Sequence, residues 1–166
     1  MKQRIISFIV SNEPGVLSRV SGLISRRGFN IDSLTVGVTH NTNLSRITIV
    51  MTADEQIAQQ VIKQLYKLID VKHVKEICEG QQTLSEVALI KVNSQKNKVE
   101  LMEKVGQLWG RVVDMGDQTT TIEITGRTDY INDSIKELDK FGIEEIARTG
   151  MVALERGDDA LKKYDY

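Results

Sequence analysis

Residues 11–20, SNEPGVLSRV, join an apolar run to the start of a predicted helix, and the rest of the chain is interpreted from them. The preceding residues, 5–10, are typical of a buried strand. Asn12 or Glu13 can precede the helix, and Pro14 suits its first turn. The first N–H groups of a helix lack partners within it and lie at the positive end of its dipole. The stretch therefore predicts a strand, a turn and a helix, with a socket for a small carboxylate.

Gly15 and two asparagines are the candidate binding residues around this turn. Without a side chain, Gly15 lets a ligand approach the backbone closely. Asn12 and Asn30 carry neutral amides that both donate and accept hydrogen bonds, which suits a ligand with a carboxylate and an ammonium group. The same residues also fit an ordinary strand-to-helix turn that binds nothing, so the turn alone leaves both interpretations open.

The composition is that of a globular protein, and it argues against several classes of function. The 166 residues are 40% hydrophobic and carry a formal net charge of −1, so no nucleic-acid footprint is expected. No apolar run of about 18 residues is present, so no membrane span is expected either. The chain begins without a signal-peptide pattern. Its single cysteine, Cys78, is predicted to be a small buried residue in a reducing, cytoplasmic setting.

The first eighty residues predict the order strand, helix, strand, strand, helix, strand. Apolar residues at helical spacing predict helices over residues 14–27 and 52–68. Alternating apolar residues predict four strands, over residues 4–11, 30–39, 44–51 and 71–78. This order is a ferredoxin-like βαββαβ unit, in which right-handed crossovers place both helices on one face of an antiparallel sheet.

The same order repeats after a polar break, so the predicted fold class is α+β with two tandem ferredoxin-like βαββαβ domains. In the second copy, Thr128 or Asp129 is expected to cap a helix, and Val99 and Trp109 are expected to face inward. We predict four segments: a first domain over residues 1–78, a linker over 79–83, a second domain over 84–157 and a flexible tail over 158–166. The second copy lacks Pro-Gly after its first strand, so the socket belongs to the first domain.

Motifs for catalysis and metal binding are missing from the sequence. It contains neither a dinucleotide nor a P-loop glycine motif, and His40 and His73 are too few for a typical metal site. An RNA-binding module of this fold would stack bases on aromatic residues that the central strand lacks. A small ferredoxin-like hydrolase would need a general base, and none stands out. We predict no catalytic and no metal-binding residue in this chain.

Residues 12–36 resemble the ACT domain of the small, regulatory subunit of acetolactate synthase (acetohydroxyacid synthase). The resemblance begins with Asn-Glu-Pro-Gly-Val-Leu-Ser-Arg-Val at residues 12–20 and continues through Gly-Phe-Asn-Ile at residues 28–31. Residues 44–49, 64–71 and 148–154 extend it over nearly the whole chain. The resemblance implies that the N-terminal ferredoxin-like domain is an ACT domain that binds an amino acid and dimerises.

The resemblance also implies that the chain is not an enzyme by itself. Its partner would be the catalytic (large) subunit, which carries thiamine diphosphate, Mg²⁺ and FAD and condenses two pyruvates, or pyruvate with 2-oxobutyrate. The regulatory subunit would activate that partner in branched-chain amino-acid biosynthesis. It would also confer feedback inhibition by valine, with leucine or isoleucine as other effectors. This chain would carry no cofactor, and the effector would lie between the ACT domains of a homodimer.

Three residues match the family's valine-site residues by position: Asn12, Gly15 and Asn30. Their neighbours complete the predicted site through backbone or apolar contacts, namely Pro14, Val16, Leu17 and Ile31. One alternative is a free-standing ACT-domain sensor of another amino acid, which would not co-purify with a large thiamine-dependent protein. The other is the small hydrolase, which would turn over a substrate without a partner.

Overall fold

The computed structural model describes residues 2–95, 97–158 and 161. Within them, the order βαββαβ occurs twice, which confirms the predicted α+β fold class. The first copy comprises β1 (Lys2–Ser11), α1 (Val16–Ser25), β2 (Ser33–Val38), β3 (Leu44–Ala53), α2 (Glu55–Leu65) and β4 (Val71–Ile77). The second comprises β5 (Gln82–Asn93), α3 (Lys98–Gln107), β6 (Arg111–Met115), β7 (Thr119–Gly126), α4 (Thr128–Asp139) and β8 (Ile143–Arg148). A last strand, β9 (Val152–Glu155), follows.

The chain divides into two compact units, and the division differs from the predicted domains at two places. Residues Met151–Tyr166 join Met1–Thr83 in the first unit, and Leu84–Gly150 form the second. Residues 151–157 therefore pack in the first unit, where Arg46 Nη2 of β3 donates to the carbonyl of Ala153, although the backbone of β9 pairs with β5. The linker predicted over 79–83 is shorter, because β5 already begins at Gln82. Residues 159, 160 and 162–166 of the predicted tail lie outside the described residues.

The first sheet is antiparallel, with the strand order β2-β3-β1-β4, so β2 and β4 are its edges. Every second residue of β1 lies on the face that packs beneath α1 and α2, namely Ile6, Phe8 and Val10. From α1, Val20 and Ile24 reach the same core at helical spacing. Burying each such side chain contributes roughly 1.5–3 kcal/mol, which fixes α1 against the sheet and so fixes the turn before it.

The second unit repeats this plan with the strand order β6-β7-β5-β8. Its core contains Ile90, Ile122 and Leu101 among other apolar residues. Glu86 is only 3% exposed; it accepts hydrogen bonds from Arg148 Nε at 2.6 Å and from Thr128 Oγ1 at 2.8 Å. Burial alone would raise the pKa of Glu86, but these two partners hold that pKa below its usual value.

Three sequence predictions in the second unit are wrong. Val99 and Trp109 are 76% and 91% exposed rather than inward-facing. Trp109 is exposed because α3 ends at Gln107 and Trp109 itself has a φ of 46°. Val99 lies in the first turn of α3, whose buried residues are Leu101 and Val105. Neither predicted residue caps α4. Its N-cap is Arg127, and the hydroxyl of Thr128 is instead hydrogen-bonded to Glu86.

The prediction for Cys78 is also wrong, because this residue follows the end of β4 and is exposed. By contrast, α2 lies within the predicted range 52–68, and Asp54 is its N-cap, since Asp54 Oδ1 accepts a hydrogen bond from the Ile57 amide at 2.9 Å. No helix in residues 2–95 and 97–158 is long and apolar enough to cross a membrane.

Candidate functional site

The turn before α1 is closed by Gly15, whose φ of +82° lies in the left-handed region that favours glycine. Helix α1 begins at Val16, so Pro14 lies in the turn and not in the first helical turn as the sequence predicted. The prediction that Asn12 or Glu13 caps the helix is wrong as well. The reason is that the backbone turns at Gly15 itself, where the amide of Val16 donates to the carbonyl of Glu13 at 3.3 Å.

The first turn of α1 presents backbone donors at the exposed end of the helix. The first hydrogen bond of helical type is donated by the Arg19 amide to the Gly15 carbonyl at 3.0 Å. The amides of Leu17 and Ser18 come before it and have no acceptor within the helix. Leu17 is 44% exposed, whereas Val16 is 3% exposed and packs in the core. Val16 can therefore offer a ligand only its backbone, while Leu17 can offer its side chain.

Arg19 adds a positive charge beside this turn. A Cβ atom placed on Gly15 would lie 3.2 Å from Arg19 Nη1, and Arg19 Nε donates to Asp70 Oδ2 at 2.8 Å. The hydrogen bond that Arg19 donates to Asp70 raises the pKa of Arg19. The sequence prediction omitted Arg19 from the site, although its position four residues after Gly15 places it one helical turn away.

The side-chain amide of Asn12 is held by the loop between β2 and β3 and by the start of β3. Its Nδ2 donates to the Thr42 carbonyl at 2.9 Å, and its Oδ1 accepts from Ser45 Oγ at 3.1 Å. A carboxamide has two N–H groups and two lone pairs on its oxygen. Asn12 therefore keeps one N–H and one lone pair for a ligand, in an orientation that Thr42 and Ser45 fix.

The amide of Asn30 is held in a similar way by Asp32. Asn30 Nδ2 donates to Asp32 Oδ1 at 3.0 Å, and Asp32 Oδ2 accepts from Thr52 Oγ1 at 2.9 Å. The Asp32 amide donates to the Val50 carbonyl at 2.8 Å. Ile31 is partly buried against the core. Asp32 is bonded to two residues of β3 and also to Asn30, so β3 fixes the orientation of the Asn30 amide through Asp32.

The two asparagines lie at opposite ends of one sheet. The backbone of Asn12 is hydrogen-bonded to Asn43, just before β3, whereas Asp32 beside Asn30 is hydrogen-bonded to Val50, near the end of β3. Seven residues of strand separate these two anchor points, which corresponds to about 23 Å. A single chain therefore does not bring Asn12 and Asn30 to one amino-acid-sized ligand, and the predicted site is split into two halves.

Two helices on one face of a β2-β3-β1-β4 sheet, with a glycine-capped first helix, define the first unit as an ACT domain. Residues 6–73 match the family described as the AHAS small subunit-like ACT domain. Residues 85–157 match the family described as the small subunit of acetolactate synthase.

Known proteins resemble the chain over almost its full length. A probable acetolactate synthase small subunit from Archaeoglobus fulgidus is 46% identical, over 92% of this chain and 96% of the relative. The acetolactate synthase small subunit of Aquifex aeolicus is 42% identical, over 94% of this chain and 82% of the relative. The crystal structure of such a subunit from Thermotoga maritima has a TM-score of 0.91 and 37% identity, covering 96% of this chain and all (100%) of that chain. The chain belongs to the family of acetolactate synthase small subunits, which implies a catalytic large subunit as its partner.

Proposed function

We propose that this chain activates the catalytic subunit of acetolactate synthase without catalysing, and that it confers feedback inhibition by valine. Leucine and isoleucine are the other candidate effectors. The observation that carries this proposal is the split site, with Asn12 and Gly15 at one end of the sheet and Asn30 at the other. Each half offers groups that suit an amino acid, and two chains are needed to complete one site. An effector that joins two chains can change how they assemble.

The edge strand β2 offers a surface for this pairing. It is unpaired on its outer side within the first unit, and Val36 and Val38 are 43% and 57% exposed. If two copies pair antiparallel through β2, the two-fold axis places the Asn30 end of one sheet at the Asn12 end of the other. The pairing would produce two equivalent sites, each with Asn12 and Gly15 from one chain and Asn30 from its partner.

The chemistry of the two halves supports an amino acid as the effector. Its carboxylate would accept hydrogen bonds from the first amides of α1 and lie near the charge of Arg19. The carboxamide oxygens of Asn12 and Asn30 would accept hydrogen bonds from its ammonium group, and Leu17 would contact its apolar side chain. Micromolar affinity needs about 8 kcal/mol. Three or four charge-assisted hydrogen bonds of roughly 1.5–3 kcal/mol each, with one buried isopropyl group, are sufficient.

The reaction itself belongs to the partner in this proposal. Thiamine diphosphate, Mg²⁺ and FAD are expected on the catalytic subunit, which would form acetolactate from pyruvate for branched-chain amino-acid biosynthesis. This chain would contribute binding and regulation. The proposed setting is the cytoplasm, where an exposed thiol such as Cys78 stays reduced.

Reconstitution with the catalytic subunit of the same organism tests the proposal. We expect no acetolactate formation by this chain alone and a several-fold rise in the catalytic subunit's activity when the chain is added. Valine should then remove most of that rise, by an allosteric coupling of roughly 5- to 150-fold. Activity that is unchanged by the chain, together with binding of an unrelated amino acid, would favour a free-standing ACT-domain sensor instead.

A further inference from the structure

A segment from the far end of the chain runs across the first sheet. We call residues 151–156 the strap. It starts at the edge strand β2, where the amide of Met151 donates to Ser33 Oγ at 3.2 Å. It then reaches β3, where the carbonyl of Ala153 accepts from Arg46 Nη2 at 2.8 Å.

The strap continues to the opposite edge of the same sheet. Glu155, whose side chain is 9% exposed, forms an ion pair of 2.7 Å with Lys75 of β4. The amide of Arg156 donates to the carbonyl of Gln81 at 3.0 Å, just before β5. The remaining strand, β1, is reached through a side chain, because Arg46 Nε also donates to Ser7 Oγ at 2.8 Å. The strap thus contacts β2, β3 and β4 directly, and Arg46 links it to β1.

The strap lies on the face of the sheet away from α1 and α2. Ser7 alternates along β1 with Ile6 and Phe8, which pack beneath the helices, so Ser7 faces the other side. Met151 and Ala153 are 4% and 3% exposed. A buried residue at every second position is the pattern of a strand that covers a surface. The backbone of the strap's strand β9 pairs with β5, so the strap is held by backbone bonds to β5 as well as by side chains of the first sheet.

Both halves of the proposed effector site are hydrogen-bonded to neighbours of the strap's anchor residues. Ser33, which accepts from the strap, directly follows Asp32, the residue that holds Asn30. Arg46, which donates to the strap, directly follows Ser45, the residue that donates to Asn12. A ligand that shifts either asparagine therefore acts on a residue that is the direct chain neighbour of a strap anchor.

The strap is joined directly to the second unit along the chain. Only Gly150 separates Met151 from Thr149, whose amide donates to the Val87 carbonyl at 3.0 Å within the second unit. The preceding residue, Arg148, is also fixed there, by its hydrogen bond to Glu86. A connection of one residue, Gly150, can take up little of any movement of the strap.

We propose that the strap transmits effector occupancy from the ACT domain to the second unit. This proposal rests on the proposed function, because it describes how the same site exerts control. Its anchor residues Arg46 and Lys75 are positioning residues that act through the strap. They are needed for inhibition of the holoenzyme but not for binding of the effector to the free chain.

A double variant, Arg46→Met with Lys75→Gln, removes the two charged side-chain anchors of the strap and leaves Ser33 in place. The matched control is Arg111→Met with Lys91→Gln, which removes one arginine and one lysine ion pair from the second unit. Valine affinity of each free chain is measured by calorimetry, and valine inhibition is measured in the holoenzyme. We expect the strap variant to bind valine within about threefold of the wild type, while the concentration for half-inhibition rises at least about tenfold. The control should change neither quantity.

Two results would overturn the strap proposal: full inhibition of the strap variant, or a loss of valine binding that accounts for the lost inhibition. If the variant does not fold, hydrogen exchange of the wild-type chain decides. Valine should then slow exchange at the amides of Met151 and Arg156, and unchanged exchange there would contradict the proposal. A wild-type chain that binds no valine would instead refute the proposed function.

Discussion

Replacing Gly15 with aspartate is expected to abolish inhibition of the holoenzyme by valine while activation of the catalytic subunit stays within about twofold. The physical reason is the position of Arg19, whose Nη1 lies 3.2 Å from where a Cβ on Gly15 would be. The new carboxylate would pair with Arg19 and occupy the place proposed for the effector's carboxylate. Like charges in contact cost several kcal/mol, which corresponds to a loss of affinity of more than about 100-fold.

Gly15→Asn is the matched control for this charge effect. Asparagine has nearly the size of aspartate, and both residues tolerate a positive φ better than other side chains do. The asparagine variant should therefore weaken valine binding much less than the aspartate variant. Activity assays with a valine titration measure both. Valine inhibition that survives in Gly15→Asp would show that the site lies elsewhere.

Two inactive variants of the chain are expected to restore part of each other's function when mixed. Asn12→Ala and Asn30→Ala each damage both sites of their own dimer, because every site takes one asparagine from each chain. In a mixed dimer, one site receives both substitutions and the other receives none. With random pairing, about a quarter of the sites are intact in an equal mixture. The expected result is valine binding at about a quarter of the wild-type capacity, measured by equilibrium dialysis after co-refolding.

The control for this experiment mixes two substitutions from the same half of the site. Gly15→Asp with Asn12→Ala leaves every site of a mixed dimer with a damaged half, so no binding should return. A mixture of Asn12→Ala and Asn30→Ala that stays inactive, although both chains fold and dimerise, would mean that each chain carries its own complete site. The shared-site model would then be wrong.

Most of the fold could be predicted from the sequence because the two halves bury their residues with regular periods. The helices and strands of the first unit differ from their predicted bounds by one to three residues at an end, where such elements fray. Helix α3 is an exception in its packing. Val99 and Trp109 have helical spacing, but Trp109 lies past the end of the helix, and periodicity does not show where a helix stops.

The candidate site could be predicted only in part. Gly15 and the asparagines stand out in the sequence, whereas the role of Arg19 depends on a distance through space. The separation of Asn12 from Asn30 follows from strand register, which a list of residues does not contain. The strap was also missed as part of the first unit, because its hydrogen bonds to Ser33 and Arg46 join residues more than 100 positions apart along the chain. Local patterns carry no information about such contacts.

The central claim is that two copies of this chain share the effector. A ligand that contacts both chains must stabilise the dimer, by the same factor by which dimerisation strengthens ligand binding. Sedimentation velocity of the purified chain, at several concentrations with and without valine, measures this directly. We predict that saturating valine lowers the dimer dissociation constant at least about tenfold. Valine that binds while the dimer dissociation constant stays unchanged would contradict a site shared between two chains.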